Sequence, residues 1–484
     1  MLFPSAYNSS VPLSEGRYAL FNFLAGSMDV VDQAVLSAVT AGPCDLPADV
    51  GAYLDARGYL WADPAQEASQ AGILYGELLD FHRKSLPQTL VIIPSYHCNL
   101  RCGYCWQRLY SMDSPVISSD MVNRFFHSLP QVVEGFPGRG VEIIVFGGEP
   151  LAANAELKQR VLQVLETSRR SGFQTKVITN GVGLEAAAQD LAGKVDTIQV
   201  TIDGPPEFHR RRRPIPGGDS YEPLRRGVDE AIRVGLRVNV RVNVDFQNVS
   251  LLPELSDHIR QQGWLNSGLV TLFVAPLKNH NPRQTVAPET SLLREVLDLA
   301  LRDRRMDVYS FEGFAGIKYF KGFVESGMLP LQRFFNCEAQ MNFYAFDPRG
   351  DVYACWDAAG IPEMAIGRYW PDVHIDAEKL AYWRGRSGLQ IPKCTGCAAL
   401  PACGGGCAFL AYEHKGRLTE PTCDSLLDAF KLAVAARADW VLERATKGDH
   451  CVGLVTASKV VTPVTRELGL FGDKPGVPSL VNSC

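Results

Sequence analysis

Short, β-branched apolar runs recur from residue 88 onward, at Thr89–Pro94, Val141–Gly147, Thr175–Thr179, Thr197–Ile202, Val238–Val244 and Val270–Val274. Between them lie stretches with apolar residues at helical spacing, such as Asn154–Arg170, Tyr221–Val234 and Leu251–Gln262. Continuous apolar runs alternating with amphipathic helices read as strands buried on both faces of a parallel sheet. Six such units with right-handed crossovers predict an α/β fold curled into a partial (β/α)6 TIM-like barrel over residues 88–310. In these folds ligands bind at the carboxyl ends of the strands, so the residues closing each run form the candidate site.

The flanking regions are patterned differently. Residues 1–87 read as a small α/β module: Arg17-Tyr-Ala-Leu-Phe-Asn-Phe alternates like a strand, Asp29–Val39 has helical spacing, and Ala48–Trp61 reads as a helix, an Arg57-Gly58 turn and a short strand. Pro276–Pro288, rich in Asn, Pro and Lys, reads as a surface loop. Region 311–445 opens on the aromatic-rich Phe311–Phe335 and closes on Asp424–Arg444, one amphipathic helix with Leu426, Leu427, Phe430, Val434, Trp440 and Val441 on or near one face. The tail, 446–484, is rich in Gly, Pro and Val, carries no catalytic signature, and could wrap the surface or cover the barrel mouth.

Composition narrows the class. At 484 residues the chain exceeds what one core usually serves, and 46% hydrophobic with 21% charged residues is ordinary for a globular enzyme. A net charge of −5 gives no broad attraction to nucleic acid or an anionic membrane; the run Arg210–Arg213 reads as a solvated or locally paired loop. With no signal peptide and no run of 18 apolar residues, a cytosolic protein is expected. Thirteen cysteines, an odd number, then read as metal ligands rather than disulfides.

Their spacing carries the chemistry. Cys98-Asn-Leu-Arg-Cys102-Gly-Tyr-Cys105 follows the first run, and three soft thiolates on one turn suit an iron–sulfur cube or zinc. Three ligands to a cubane leave one iron open for a small molecule, as catalytic metal sites keep an open position. Gly147-Gly148-Glu149-Pro150, Thr179-Asn180-Gly181, Thr201-Ile202-Asp203-Gly204 and Asn243-Val244-Asp245 close the next four runs, so all five motifs point at one mouth. Paired glycines let backbone approach a ligand, and a glutamate with backbone carbonyls offers acceptors suited to an ammonium. Seven further cysteines follow at Cys337, Cys355, Cys394, Cys397, Cys403, Cys407 and Cys423, whereas Cys44 has no ligand-like neighbour.

The CxxxCxxC loop, with Tyr104 before its last cysteine, followed by Gly-Gly-Glu-Pro and by His209-Arg-Arg-Arg-Arg213 with a glycine turn, resembles the radical S-adenosylmethionine (radical SAM) enzymes. The later cysteines resemble their SPASM extension, so the resemblance covers residues 88 to about 445. It implies a [4Fe–4S] cluster on Cys98, Cys102 and Cys105 that binds SAM and reductively cleaves it to methionine and a 5′-deoxyadenosyl radical. Tyr104, Gly147, Gly148, Glu149, Pro150, Asn180, Thr201, Arg213 and Asn243 are the implied SAM-binding residues. By that match Gly147–Pro150 hold the amino group, Arg213 with Thr201 meets the carboxylate, and Asn243 faces the ribose; Arg210 stands where the family usually has aspartate.

The resemblance also implies two auxiliary [4Fe–4S] clusters. Cys394, Cys397, Cys403 and Cys423 would hold one completely; Cys337, Cys355 and Cys407 would supply three ligands to the other, which a distant Cys451 or Cys484 closes or which stays open to a substrate thiolate. A zinc knuckle is the competing reading of Cys394–Cys423. Asp357, one residue beyond Trp356, is a candidate proton acceptor or a surface carboxylate. Relatives with this extension mostly modify peptides, and the order of elements in 1–87 resembles winged-helix peptide-recognition domains. The expected substrate is therefore a ribosomally made peptide, with a leader, that acquires a crosslink or thioether, and the expected reductant is flavodoxin or ferredoxin. Anaerobic formylglycine formation and a non-catalytic iron–sulfur carrier are the alternatives.

Overall fold

The computed structural model describes residues 2–41, 46–109, 114–278, 280, 289–330, 332–423, 426–448 and 452–464. Cys44, Cys451, Cys484, most of the 276–288 linker and the end of the tail lie outside them.

In the amino-terminal module the strands are β1 (Phe3–Pro4), β2 (Asn8–Pro12), β3 (Arg17–Asn22), β4 (Ser27–Asp32) and β5 (Leu60–Trp61). The apolar runs of the barrel become β6 (Gln88–Ile92), β7 (Val141–Val145), β8 (Gln174–Thr179), β9 (Thr197–Thr201), β10 (Val238–Val244) and β11 (Val270–Pro276), with a short β12 (Tyr309–Ser310). Each pairs in parallel with the next: Leu90 lies opposite Ile143, Val177 opposite Ile198, and Val242 opposite Val274. These side chains are fully or nearly fully buried, as strands covered on both faces require. The helices between them form as the spacing predicts; Asn154, for example, caps Ala155–Arg170 by accepting the Leu157 N–H at 3.0 Å.

The sheet does not stop at residue 310. β13 (Phe343–Phe346) joins β6 in parallel, and β14 (Asp351–Tyr353), β15 (Gly367–Arg368) and β16 (His374–Ile375) continue antiparallel, giving one open sheet of eleven strands. The barrel is thus partial and unclosed, and the cysteine-rich region shares its sheet. Because β14 runs antiparallel to β13, Cys355, two residues past β14, lies toward the amino-terminal edge of the parallel strands.

At the junction, Asp347 accepts the Arg349 and Asp351 N–H groups, each at 2.9 Å, and the Tyr96 hydroxyl at 3.1 Å. Burial pushes its carboxyl up to about 6. The folded chain therefore holds a proton between about pH 4 and 6 that the unfolded chain has released, so stability falls as pH rises through that window. Asp347→Asn is expected to flatten this slope, worth ~3 kcal/mol in full and ~2 kcal/mol between about pH 4.5 and 7 at about 1.36 kcal/mol per pKa unit; urea unfolding at those two pH values, compared with wild type, measures the latter.

Several expectations change, among them the loop expected at Arg210–Arg213, of which Arg210–Arg212 end the helix Pro206–Arg212. Asp29–Val39 is not one helix: Ser27–Asp32 is a strand and only Gln33–Ala38 is helical, beginning where Asp32 accepts the Val35 N–H. Asp424–Arg444 divides at Arg437 into Leu426–Ala436 and Ala438–Lys447. The first half packs on helix Ala315–Ser326, while the second turns under the amino-terminal module, so one straight rod could not bury both faces. That module is itself completed from the far end of the chain. β17 (Gly453–Thr456) pairs in parallel with β4, and β18 (Lys459–Thr462) adds outside it, making a sheet of order β18-β17-β4-β3-β2. Residues read as a surface tail are structural strands.

Candidate functional site

The cysteine loop leaves β6 and is drawn tightly against the loop after β7. Gly148 N donates to Gln107 Oε1 at 3.0 Å, and Glu149 N donates to the His97 carbonyl at 2.8 Å. Gly147 and Gly148 take φ of +108° and +53°. A β-carbon on Gly148 would stand 2.2 Å from the His97 carbonyl oxygen, so only glycine permits this approach. Glu149 is fully buried, and its carboxylate accepts the Leu151 N–H at 2.9 Å, the Asn180 N–H at 2.6 Å and the Thr179 hydroxyl. Burial raises its pKa while those donors oppose the rise. Glu149 thus clamps the ends of β7 and β8 together; Oε2, with one such donor, keeps a lone pair for a ligand.

Around these loops lies a cavity of about 250 Å³ at the carboxyl ends of β6–β11. Cys98, Cys102 and Cys105 line one wall. Burial pushes the Cys98 thiol up to about 12, with the Glu149 charge adding, and Leu100 N–H points at its sulfur at 3.4 Å. Burial also raises Cys102, against the pull of the Arg213 guanidinium. Asn180 donates to Asn99 Oδ1 at 2.7 Å, which ties β8 to the same loop.

Thr201, Arg213 and Asn243 form the facing wall, organised by Tyr104 and Asp203. The Tyr104 hydroxyl donates to Asp203 Oδ2 at 2.5 Å and accepts from Arg213 Nη1 and, at 3.3 Å, from Asn243 Nδ2. Asp203 Oδ1 accepts the Asn243 N–H at 3.1 Å. Arg213 Nε is buried and, among the described residues, has no hydrogen-bond partner. Arg210, the departure from the family pattern, turns away and pairs with Asp219 at 2.9 Å, holding that carboxyl down to about 2.

A third wall comes from beyond the barrel strands. Lys278 Nζ pairs with Asp357 Oδ2 at 3.0 Å, and Asp357 is 5% exposed, so it is no surface carboxylate. Asp357 raises the Lys278 ammonium pKa against burial. His280 Nδ1 donates to Glu413 Oε2 at 3.1 Å and the ring sits between those of Trp106 and Phe409. The start of the expected surface loop therefore faces the cavity.

The remaining cysteines fall into two sets. The Cys355 thiol feels Cys337 and Cys407 together with Asp357 and Lys278, so this set adjoins the third wall. Burial lifts Cys337 to about 11. The Cys394 thiol feels Cys397 and Cys423, and Cys403 shares a charged neighbour, Arg386, with it. No disulfide joins any of the ten described cysteines. Among the described residues no three His, Cys, Asp or Glu side chains converge on one ion-sized point. What the cavity offers is soft sulfur on one wall and guanidinium, hydroxyl and amide groups on the other, a donor set that fits a three-cysteine iron–sulfur group with a zwitterionic co-ligand.

Asp203, Arg241, Lys278 and His280 were not singled out from the sequence as site residues, although each joins the cavity walls or their hub. Arg241 carried a signal: Asn239, Arg241 and Asn243 put three polar groups on one face of an otherwise apolar strand. Arg241 Nε donates to Asn243 Oδ1 at 2.8 Å, and burial lowers its pKa.

Residues 92–257 match the Radical SAM superfamily. Pre-heme d1 synthase of Dinoroseobacter shibae is 22% identical over 383 residues, 73% of this chain and 89% of its own. A probable GTP 3′,8-cyclase of Methanococcus maripaludis is 29% identical over 192 residues, covering 38% of this chain and 59% of that one. Among solved structures, native anSMEcpe with bound AdoMet and Kp18Cys peptide superposes with TM-score 0.57 at 17% identity, over 74% of this chain and 100% of that one. Streptococcus suis SuiB bound to precursor peptide SuiA superposes with TM-score 0.53 at 15% identity, over 87% of this chain and 98% of that one. These likenesses establish the fold. Among the described residues no helix is long and apolar enough to cross a membrane.

Proposed function

Because residues 92–257 are a radical SAM domain and the chain is an enzyme of that type, we propose that it abstracts hydrogen from a peptide to install a post-translational crosslink or thioether. One observation supports this reading above the others: a single cavity joins the Cys98, Cys102 and Cys105 thiols to Lys278 and Asp357, which adjoin Cys337, Cys355 and Cys407. An iron–sulfur group on the first three thiols, with SAM beside it, would supply the electron that breaks the sulfonium bond and the carbon radical that takes hydrogen from an unactivated carbon.

The chain's own residues do the rest. Arg213 and Thr201 offer a guanidinium and a hydroxyl to the SAM carboxylate, and Oε2 of Glu149 with the Gly147–Gly148 backbone accepts its ammonium. Asn243 and Tyr104 present polar edges toward a ribose. The packed walls exclude water and stray hydrogen donors. Asp357, with Oδ2 held by Lys278, presents Oδ1 as the atom that takes a substrate proton. Cys394, Cys397, Cys403 and Cys423 form a four-thiol set, and Cys337, Cys355 and Cys407 a three-thiol set; among the described residues no further cysteine remains to close the second. In this reading its fourth position accepts a substrate thiolate.

Support for a peptide substrate comes from extent. A superposition on peptide-bound SuiB over 87% of the chain cannot fit inside residues 88–445, so it takes in part of the amino-terminal module or its closing strands. We assign that module, three antiparallel strands followed by helices Gln33–Ala38, Ala48–Ala56 and Pro64–Ser85, to leader-peptide binding. The likeness to pre-heme d1 synthase favours a second reading, a tetrapyrrole substrate, over 73% of the chain.

The assay is anaerobic incubation with SAM, reductant and candidate peptides encoded beside the gene, read by mass spectrometry and by 5′-deoxyadenosine. A peptide product short of two hydrogens is the expected result; formylglycine in a sulfatase-derived peptide, or turnover of a tetrapyrrole alone, would replace it. Asp357→Asn is expected to keep 5′-deoxyadenosine formation and lose about 10²–10⁴-fold in peptide product, the range for a lost general base.

A further inference from the structure

Between the two C-terminal thiol sets sits a guanidinium that neither the SAM site nor the cavity uses. Arg386 is 2% exposed. Its five N–H groups go to five main-chain carbonyls: Nε to Leu418, Nη1 to Gly404 at 3.2 Å and Gly406 at 2.9 Å, and Nη2 to Gly405 at 2.7 Å and Glu420 at 3.0 Å. Every donor is satisfied and none goes to a carboxylate. Its own carbonyl accepts from Gln340 Nε2, and Gln340 Oε1 accepts the Asn336 N–H at 2.9 Å, next to Cys337.

The wrapped backbone is the ligand loop itself. Gly404–Gly406 run from Cys403 to Cys407, all three with positive φ. A β-carbon on Gly406 would meet the Thr422 carbonyl oxygen at 1.7 Å, and one on Gly404 the Phe335 backbone at 2.3 Å. Leu418 and Glu420 lie just before Cys423. When ionised, as cluster ligands are, Cys407, Cys337, Cys394 and Cys403, two thiols from each set, favour the charged form of Arg386 against its burial. A buried cation surrounded by neutral carbonyls is costly unless anions lie close by. Iron–sulfur clusters held by thiolates are anionic, and nearby charge sets their potentials.

We propose that Arg386 is the shared counter-charge of both auxiliary iron–sulfur sites, a positioning residue that raises their reduction potentials together while fixing the loop between them. The proposal rests on the assignment of the seven thiols to two clusters made above. A cluster near this cation is easier to reduce, so both become better acceptors for an electron released by an oxidised substrate.

The test is an EPR-monitored redox titration of the anaerobically reconstituted full-length protein, with iron and sulfide counted, for wild type, Arg386→Gln and Arg386→Lys. Iron for one cluster only in wild type would refute the cluster assignment, independently of Arg386. With three clusters present, Arg386→Gln should shift the reduction equilibrium of both auxiliary clusters at least tenfold toward the oxidised form, 59 mV for one electron. The Cys98–Cys105 cluster should stay unmoved as an internal reference, and Arg386→Lys should stay near wild type. Unmoved auxiliary potentials, equal shifts in all three clusters, or a Lys variant as low as the Gln variant would overturn it. Should the Gln variant lose auxiliary iron, retention by the Lys variant supports a role for charge, and loss in both overturns it in favour of shape alone.

Discussion

Cys102→Ala is expected to remove 5′-deoxyadenosine formation by more than about 10²-fold, beyond what disturbing a ligand's supporting contacts costs. The thiol is 7% exposed on the cavity wall with Cys98 and Cys105, and Arg213, which lines the same cavity, favours its ionised form. Two thiols on this loop cannot hold a cube with one open iron, and no other cysteine reaches the wall among the described residues. SAM binding should weaken with the loss of the iron that would chelate it. Cys403→Ala makes the contrast: it lies in the other thiol region, and should leave SAM cleavage intact while product formation and part of the iron are lost. Chromatography of 5′-deoxyadenosine with iron analysis on both variants measures this, and full turnover by Cys102→Ala would end the assignment of the amino-terminal thiols.

The barrel strands and the order of motifs at their ends were legible because both are local. Val238–Val244 or Gly147–Pro150 needs only its own residues to be recognised. Partners distant in sequence were not legible. Lys278 reads as part of a polar linker until Asp357, 79 residues on, is seen opposite it. Asp203 closes a strand in the sequence; only the fold shows it accepting from Tyr104 and from the Asn243 backbone. The strand over Ser27–Asp32 was merged with the following helix because Val31, Val35 and Val39 keep helical spacing across the boundary, although Asp32 was available as a cap. Arg386 stands in a stretch with no motif, and its meaning depends on five carbonyls from two other segments.

Asp29→Ala is expected to destabilise the chain by ~3–5 kcal/mol, the cost of stranding one member of a buried ion pair. Asp29 is fully buried in β4 and Arg57 is 5% exposed. Its Oδ2 accepts from Arg57 Nε at 2.8 Å and the Tyr59 hydroxyl at 2.7 Å; its Oδ1 accepts from the Tyr53 hydroxyl at 2.7 Å and the Gly453 N–H at 2.9 Å. Four donors, three from the stretch 53–59 and one from β17, thus meet on one carboxylate, and the last fastens β17 to the module from 424 residues away. Alanine leaves the Arg57 guanidinium without its anion and β17 without its first tie, so hydrogen exchange should rise earliest over Gly453–Thr462. Pairing Asp29→Ala with Arg57→Met should recover part of the loss, since the isolated charge is then gone; no recovery would mean that the hydrogen bonds of Tyr53, Tyr59 and Gly453 dominate. The barrel's sheet is separate from this one. The variant should therefore still cleave SAM under mild conditions while losing leader-dependent turnover, and retention of both would detach the module from substrate binding.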